Sequence, residues 1–81
     1  MTNVIMFTTP SCGGCKILKP IIKQANLPIE IVDATEDEAR ADIHEVSSVP
    51  AFVVEDTDGN HVETLAVGAQ EGIRYINETY L

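Results

Sequence analysis

Apolar residues fall into short runs and helical stripes that predict alternating strands and helices along the chain. Asn3–Thr8 holds consecutive apolar residues rich in β-formers, which predicts a strand buried on both faces. A helical stripe then predicts a helix from about Cys12 to Ala25, with Ser11 or Cys12 as its N-cap. The apolar positions of this stripe are Cys15, Ile17, Leu18, Ile21, Ile22 and Ala25. Pro20, inside the helix, removes one backbone hydrogen bond and is expected to kink it.

A second strand and a second helix follow. Ile29–Asp33 alternates enough for a strand, and two strands joined by a crossover helix form a right-handed parallel unit. Thr35 is the expected N-cap of a helix that runs to about Glu45, because the acids after it suit a helix N-terminus. The expected inner face of this helix comprises Ala39, Ile43 and Val46.

A hairpin and a final helix complete the pattern. Ala51–Glu55 predicts a third strand, and the turn residues Asp56–Asn60 predict a hairpin into an antiparallel fourth strand, His61–Ala66. Gly68 then breaks the pattern, as a turn former that can also line a substrate groove. The expected inner face of the C-terminal helix comprises Ala69, Ile73, Ile76 and Tyr80. The order βαβαββα describes one α/β domain over residues 1–81, without linker or internal repeat.

The charge of the chain argues against two classes of partner, nucleic acids and anionic membranes, and leaves acidic proteins open. The net charge of -8 and the pI near 4.4 argue against binding to nucleic acid or to an anionic membrane. Lys16, Lys19 and Lys23 all lie in the first helix, whereas twelve of the thirteen acids lie between residues 30 and 71. Two interpretations remain: an acidic surface kept for solubility, or a basic rim near the cysteines that helps acidic partners to dock.

The N-terminal segment gives no sign of export. It lacks a basic region followed by a signal-length apolar stretch, and no run approaches the roughly 20 apolar residues that span a bilayer. We therefore expect a soluble, cytoplasmic protein. In a reducing cytosol, two closely spaced cysteines are more often catalytic than a structural staple.

The segment Cys12-Gly13-Gly14-Cys15 contains both cysteines of the chain. Positions i and i+3 share a face of a helix, so the two residues can reach the Cα separation of about 4.4–6.8 Å that a disulfide requires. Cys12 is expected at the very end of the helix, where unpaired N–H groups and the helix dipole favour thiolate over thiol. We assign Cys12 as the nucleophile and Cys15, which is deeper, as the resolving thiol. Gly13 and Gly14 lack side chains, so a substrate backbone can approach closely and the turn is softer than one with proline.

Other chemistry-bearing residues have ordinary explanations. Lys16 can tune Cys12 or contact an acidic partner, but a solvated side chain explains it equally. A closed zinc site needs four ligands, and His44 and His61 are far apart without zinc-site spacing. No metal is therefore expected, and each histidine is expected at the surface. The aromatic residues expected in the core are Phe7, Phe52 and Tyr75.

Three features carry a family resemblance: the Cys-x-x-Cys after the first strand, the βαβαββα order, and Val49-Pro50 opening the third strand. In these the chain resembles the thioredoxin and glutaredoxin superfamily over nearly its whole length. The resemblance implies a thioredoxin-like fold, with a central four-stranded mixed sheet flanked by helices. It also implies that Pro50 is cis and lies beside the thiols, so that Val49 and Pro50 form a substrate platform.

Subfamily features divide between the two families. Phe7–Cys12 and the short length resemble glutaredoxin, whereas Cys15–Pro20 resembles the first helix of thioredoxin. Ser11 stands where thioredoxin has a tryptophan, and Met6 replaces its buried acid. Gly68–Glu71 does not match the segment with which glutaredoxin holds glutathione.

The residues and the resemblance together predict a thiol-disulfide oxidoreductase that donates electrons to protein disulfides. The resemblance implies a thioredoxin reductase-like flavoprotein or glutathione as electron source, and ribonucleotide reductase as one substrate. We expect a monomer without a bound cofactor. Two alternatives stay open: a glutathione-dependent glutaredoxin, and a binding or assembly module of the same fold with an idle disulfide.

Overall fold

The computed structural model describes residues 2–81 as a four-stranded sheet flanked by three helices. In chain order the elements are β1 (Thr2–Thr8), α1 (Gly13–Gln24), β2 (Ile29–Asp33), α2 (Glu38–Ile43), β3 (Ala51–Asp56), β4 (His61–Val67) and α3 (Ala69–Thr79). The predicted order is confirmed, and the bounds of the strands and of α1 lie within one residue of those predicted. Within residues 2–81, none of the helices has the length and apolar character that a membrane crossing requires.

Strand β1 lies inside the sheet, whose strand order is β2-β1-β3-β4. It pairs in parallel with β2 and antiparallel with β3, and β4 pairs antiparallel with β3. Helices cover both faces of the sheet, so both sets of alternating side chains on β1 are buried, which explains its unbroken apolar run. The predicted mixed sheet is confirmed.

Each face of the sheet carries its own hydrophobic cluster. The cluster under α1 and α3 contains Met6, Leu18, Ile22, Ile29, Phe52, Ala66 and Ile76. The cluster under α2 contains Ile5, Phe7, Val32, Ala41, Ala51 and Val53. Phe7 and Phe52 are fully buried, and Tyr75 is half-buried against the first cluster, as expected for core aromatics.

Helix α2 begins later than the sequence predicts. The Asp33 carboxylate accepts hydrogen bonds from the N–H and the hydroxyl of Thr35, at 2.8 and 2.6 Å, so Thr35 closes a turn at the end of β2. The N-cap is Asp37, whose side chain accepts from the N–H of Arg40. The prediction of Thr35 as N-cap is therefore wrong, because a neighbouring carboxylate engages both of its donors.

The inner face of α2 also differs from the predicted one. Ala41 is the buried residue of this six-residue helix, whereas Ala39 and Ile43 are exposed. Val46 lies beyond the helix and packs, half-buried, against the cluster under α2. A helix of less than two turns has too few residues for an apolar stripe to identify its inner face reliably.

The inner face of α1 is narrower than its apolar spacing predicts. Its buried residues are Cys15, Leu18 and Ile22. Ile17 is 57% exposed and Ala25 is exposed, so not every apolar position of the stripe lies against the core. Ile17 is thus an apolar side chain on the protein surface, two residues after the second cysteine.

Helix α3 packs through the predicted Ile76 and through Gly72, which takes the place expected for Ile73. Gly72 and Ile76 are buried, and Ile73 faces outward. A Cβ atom at Gly72 would lie 2.7 Å from Cε1 of Phe52 and 3.1 Å from Cδ1 of Leu18. The helix therefore approaches the sheet along a side that carries no side chain, which hydrophobic spacing cannot reveal.

A polar network on the α2 side of the sheet runs from the surface to two buried residues, His44 and Glu55. Arg40 donates to both carboxylate oxygens of Glu55, at 2.8 and 3.0 Å, and to both of Glu30, at 3.0 Å. His44 Nε2 lies 3.0 Å from Glu55 Oε2, and His44 Nδ1 lies 2.7 Å from His61 Nδ1. The hydrogen bond from Arg40 lowers the pKa of Glu55 to about 2, although burial alone would raise it.

The position of His44 corrects the sequence prediction. His44 is only 3% exposed, whereas His61 is exposed as expected. The two rings are adjacent, although 17 positions separate them in sequence. His44 is the C-cap of α2 and turns toward β3, where Glu55 accepts its ring N–H.

Candidate active site

The two cysteines lie where β1 passes into α1. Cys12 is the N-cap of α1 and has an extended backbone, with φ -77° and ψ 110°. Its N–H donates to the carbonyl of Thr9 at 3.2 Å, and its carbonyl accepts from the N–H of Lys16 at 3.3 Å. These bonds fix the strand-turn-helix connection, so the predicted place of Cys12 at the start of the helix is confirmed.

Cys12 and Cys15 form a disulfide, with their Cα atoms 5.3 Å apart. Cys12 is 9% exposed and Cys15 is 1% exposed. The backbone N–H of Cys15 points at Cys12 Sγ over 3.1 Å, as an N-cap side chain requires. Cys12 is thus the more exposed residue of the two, and its sulfur has a hydrogen-bond donor.

Gly14 brings two distant segments against this turn. A Cβ atom at Gly14 would lie 2.9 Å from Cβ of Ala69 and 3.3 Å from Cδ of Pro50. The peptide bond between Val49 and Pro50 is cis. The turn with the disulfide, the loop before β3 and the first residue of α3 therefore meet at one point.

Gly68, which follows β4, connects the loop of Pro50 to α3. Its N–H donates to the carbonyl of Pro50 at 2.8 Å, and it is the N-cap of α3. Its φ of 95° with ψ of 161° belongs to a region that is essentially restricted to glycine. The expected turn-forming role of Gly68 is therefore confirmed, and the turn joins the loop of Pro50 to α3.

Val49 and Gly13 offer backbone to an incoming molecule. The side chain of Val49 is half-buried against the cluster under α2. Its N–H and carbonyl make no backbone hydrogen bond to any of residues 2–81. Gly13 is exposed, and a Cβ atom there would meet nothing within 4 Å. Val49 thus keeps free backbone groups next to Pro50, which packs against Gly14, and Gly13 leaves open space between the two cysteines.

Lys16 and Ala69 complete the surroundings of the disulfide. Lys16 is exposed one turn along α1 from Cys12. Ala69 was missed by sequence reasoning as a site residue, since an alanine carries no chemical signal and only its contact with Gly14 identifies it. The described part of the chain holds no group of three or more His, Cys, Asp or Glu residues suited to a metal ion.

The chain is similar to a family model and to several solved structures of the thioredoxin fold. The family model Glutaredoxin matches residues 4–62 of the chain. A mutant thioredoxin from Halobacterium salinarum is 27% identical with a TM-score of 0.68, and the match covers 99% of this chain and 76% of that one. A thioredoxin from Malassezia sympodialis is 26% identical with a TM-score of 0.71, covering 96% and 72%. No curated protein matches the sequence.

Proposed function

Because the chain belongs to the glutaredoxin family, within the superfamily of thioredoxin-fold redox proteins, we propose that it is a dithiol electron donor that reduces protein disulfides. The observation that carries the proposal is the unequal exposure of a disulfide at a helix N-terminus. Cys12 is 9% exposed, whereas Cys15 is 1% exposed. Such asymmetry suits one thiol to attack and the other to resolve.

The first chemical step belongs to Cys12. In the reduced protein, the thiolate of Cys12 attacks one sulfur of the substrate disulfide, and the substrate S–S bond breaks. The departing substrate sulfur leaves as a thiolate and takes a proton from water, which yields a mixed disulfide with Cys12. The N–H of Cys15 and the start of α1 stabilise negative charge on the Cys12 sulfur before attack.

The second step belongs to Cys15. Its thiol gives up a proton and its sulfur attacks Cys12 Sγ, so that the mixed disulfide breaks and the second substrate thiolate leaves. Two electrons have then moved to the substrate, and the protein holds the Cys12–Cys15 disulfide seen in the structure. The covered position of Cys15 keeps it from attacking substrates itself.

The substrate lies, in this proposal, across Gly13, Gly14, Val49, Pro50 and Gly68. The free backbone groups of Val49 support a role as a platform that pairs with an extended substrate segment. The open space around Gly13 supports close approach of the substrate backbone to the Cys12 sulfur. Gly14 and Gly68 hold this platform in place through Ala69 and Pro50.

The electron source in the proposal is a thioredoxin reductase-like flavoprotein or glutathione. Gly68–Glu71 lacks the features expected of a glutathione-holding segment, which favours the flavoprotein. Ribonucleotide reductase is one substrate that a small dithiol donor of this type could serve. A reducing compartment such as the cytoplasm suits this role.

The proposal is tested by following the reduction of insulin disulfides with dithiothreitol as the electron source. We expect faster reduction than with dithiothreitol alone, and no acceleration by Cys12→Ser. Cys15→Ser should accumulate mixed disulfides with substrate proteins from a cell lysate, whereas Cys12→Ser should accumulate none. A wild-type protein without activity would instead favour a binding or assembly module with an idle disulfide. Supplying electrons from glutathione with its reductase, or from thioredoxin reductase, distinguishes the two sources.

A further inference from the structure

Three lysines of α1 lie in line with Cys12 along one face of the helix. The aligned residues are Cys12, Lys16, Lys19 and Lys23, at successive spacings of four, three and four positions. Residues three and four apart are neighbours on a helix surface, so this spacing keeps all four residues on one side. The buried residues Leu18 and Ile22 lie on another side. We call Lys16, Lys19 and Lys23 the lysine row, which extends about 10 Å along the helix axis.

The lysine row is accessible to a partner. Lys16 and Lys23 are exposed and Lys19 is half-buried. Helical side chains lean toward the N-terminus of their helix, so the ammonium groups are directed toward the Cys12 end. Ile17, next to Lys16, adds an exposed apolar side chain to the same end.

The fold does not use the charges of the lysine row in ion pairs. Within residues 2–81, no lysine of the row lies within 4.0 Å of a carboxylate, although the chain has thirteen acids. Arg40, in contrast, is bound by both Glu30 and Glu55. Hydrogen bonds from Thr35 are the main reason why the pKa of Asp33 is lowered, and Lys19 adds only a longer-range attraction.

The remaining cation of the chain is placed differently. Arg74 lies on α3 with Glu71 three positions before it and Glu78 four positions after it. At that spacing both carboxylates lie on the same side of the helix as the guanidinium, although neither is within 4.0 Å of it. The lysine row is therefore the one cluster of cations in the described residues that is not balanced by nearby acids of its own element.

We propose that the lysine row docks an acidic segment that flanks the disulfide of a protein substrate. This inference rests on the proposed function and names its substrate class: disulfide proteins with Asp and Glu residues next to one cysteine. Since the chain carries a net charge of -8, an acidic partner is repelled by most of the surface and attracted along α1. The attraction therefore orients the partner with its disulfide toward Cys12.

The expected effect is on encounter and orientation more than on final affinity. Exposed ion pairs contribute little each, but complementary fields raise association rates and select partners. Such attraction is screened within about 10 Å at 0.1 M salt, so it should weaken strongly as salt is raised.

The test compares two disulfide peptides that differ only beside one cysteine. One peptide carries a run of Asp and Glu there, and the other carries Asn and Gln. At low salt, kcat/KM for reduction should be about three- to tenfold higher for the acidic peptide, and the two should become equal near 0.5 M salt. Lys19→Gln with Lys23→Gln removes two positive charges and should bring the ratio close to one. Arg74→Gln, which removes one positive charge from α3, should not change it. Lys16 is left intact because it also neighbours Cys12.

A binding measurement separates docking from chemistry. The acidic peptide with Ser in place of both cysteines should shift amide NMR signals of α1, and the Lys19→Gln with Lys23→Gln variant should lose these shifts. If the wild type reduces both peptides equally and the Ser peptide does not perturb α1, docking is wrong while the oxidoreductase stands. If neither peptide is reduced, the proposed function fails, and the Ser peptide still decides docking. Equal binding of an oligonucleotide with the same charge would also overturn a preference for acidic protein segments.

Discussion

The Nδ1 atoms of His44 and His61 lie 2.7 Å apart, a distance at which one ring donates a hydrogen to the other. The carboxylate of Glu55 decides the direction. With its pKa lowered to about 2, it is ionised and accepts the hydrogen on Nε2 of His44. In the neutral ring of His44, Nδ1 is then the acceptor, and His61 donates from its Nδ1.

This relationship predicts opposite tautomers for the two histidines. At pH 8, nitrogen chemical shifts should show hydrogen on Nε2 of His44 and on Nδ1 of His61. Glu55→Gln replaces the ionised acceptor by an amide that can also donate, so the preference of His44 for its tautomer should weaken. The opposite assignment in the wild type, with hydrogen on Nδ1 of His44, would contradict the network.

Acidification should destabilise the protein through Glu55. Its pKa is about 2 in the folded protein against an ordinary value of 4.5, so its stabilising effect is complete above about pH 4.5 and is lost as pH falls toward 2. The difference corresponds to about 3 kcal/mol of unfolding free energy. Urea unfolding between pH 6 and pH 2.5 should show a steeper loss in the wild type than in Glu55→Gln.

The exposed Glu78 provides the control for this prediction. Glu78→Gln removes a carboxylate that is in no ion pair within residues 2–81, and its pH profile should follow that of the wild type. If Glu55→Gln retained the full wild-type slope, the pairing of Arg40 with Glu55 would not be the origin of the acid sensitivity.

The two glycines between the cysteines should respond differently to alanine. Gly14→Ala forces a methyl group against Ala69 and Pro50, whereas Gly13→Ala meets open space. We expect Gly14→Ala to be less stable than Gly13→Ala by about 1–3 kcal/mol, as measured by denaturant unfolding of the oxidised proteins. Ala69→Gly should recover part of this loss in the double variant, and purely additive effects would show that Ala69 is not the obstacle.

Gly72→Ala should destabilise the protein although alanine favours helices. The helix propensity gain is about 1 kcal/mol, but the new methyl group would lie 2.7 Å from Phe52 Cε1. Overpacking of this kind costs about 1–3 kcal/mol, so the net effect on the unfolding free energy should be a loss. Phe52→Leu in the same chain should reduce the cost of Gly72→Ala, whereas an unchanged cost would place the strain elsewhere.

The fold and the centre of the site follow from signals that are local in the sequence. The apolar run before Cys12 predicts β1, and the helical spacing of apolar residues after Cys15 predicts α1. The turn residues before His61 predict the hairpin of β3 and β4. The pairing of the two cysteines is local as well, because three positions separate them on one helix turn.

The parts that sequence reasoning missed depend on contacts between distant segments. The contact of Gly14 with Ala69 and that of Gly72 with Phe52 involve residues without any side-chain signal of their own. The sequence predicts His44 at the surface because a single histidine gives no sign of its hydrogen-bond partner Glu55, eleven positions further on in β3. Hydrophobic spacing indicates which side of a helix is apolar. It does not indicate how closely the neighbouring segments approach that helix.

The disulfide closes a ring of only four residues at one end of α1. A cross-link over so short a stretch restricts the unfolded chain much less than one that joins distant segments. The sheet and its two clusters, which hold the distant parts of the chain together, do not depend on that covalent bond. Reduction of this bond should therefore change the chemistry of the two cysteines while the sheet and its clusters stay folded.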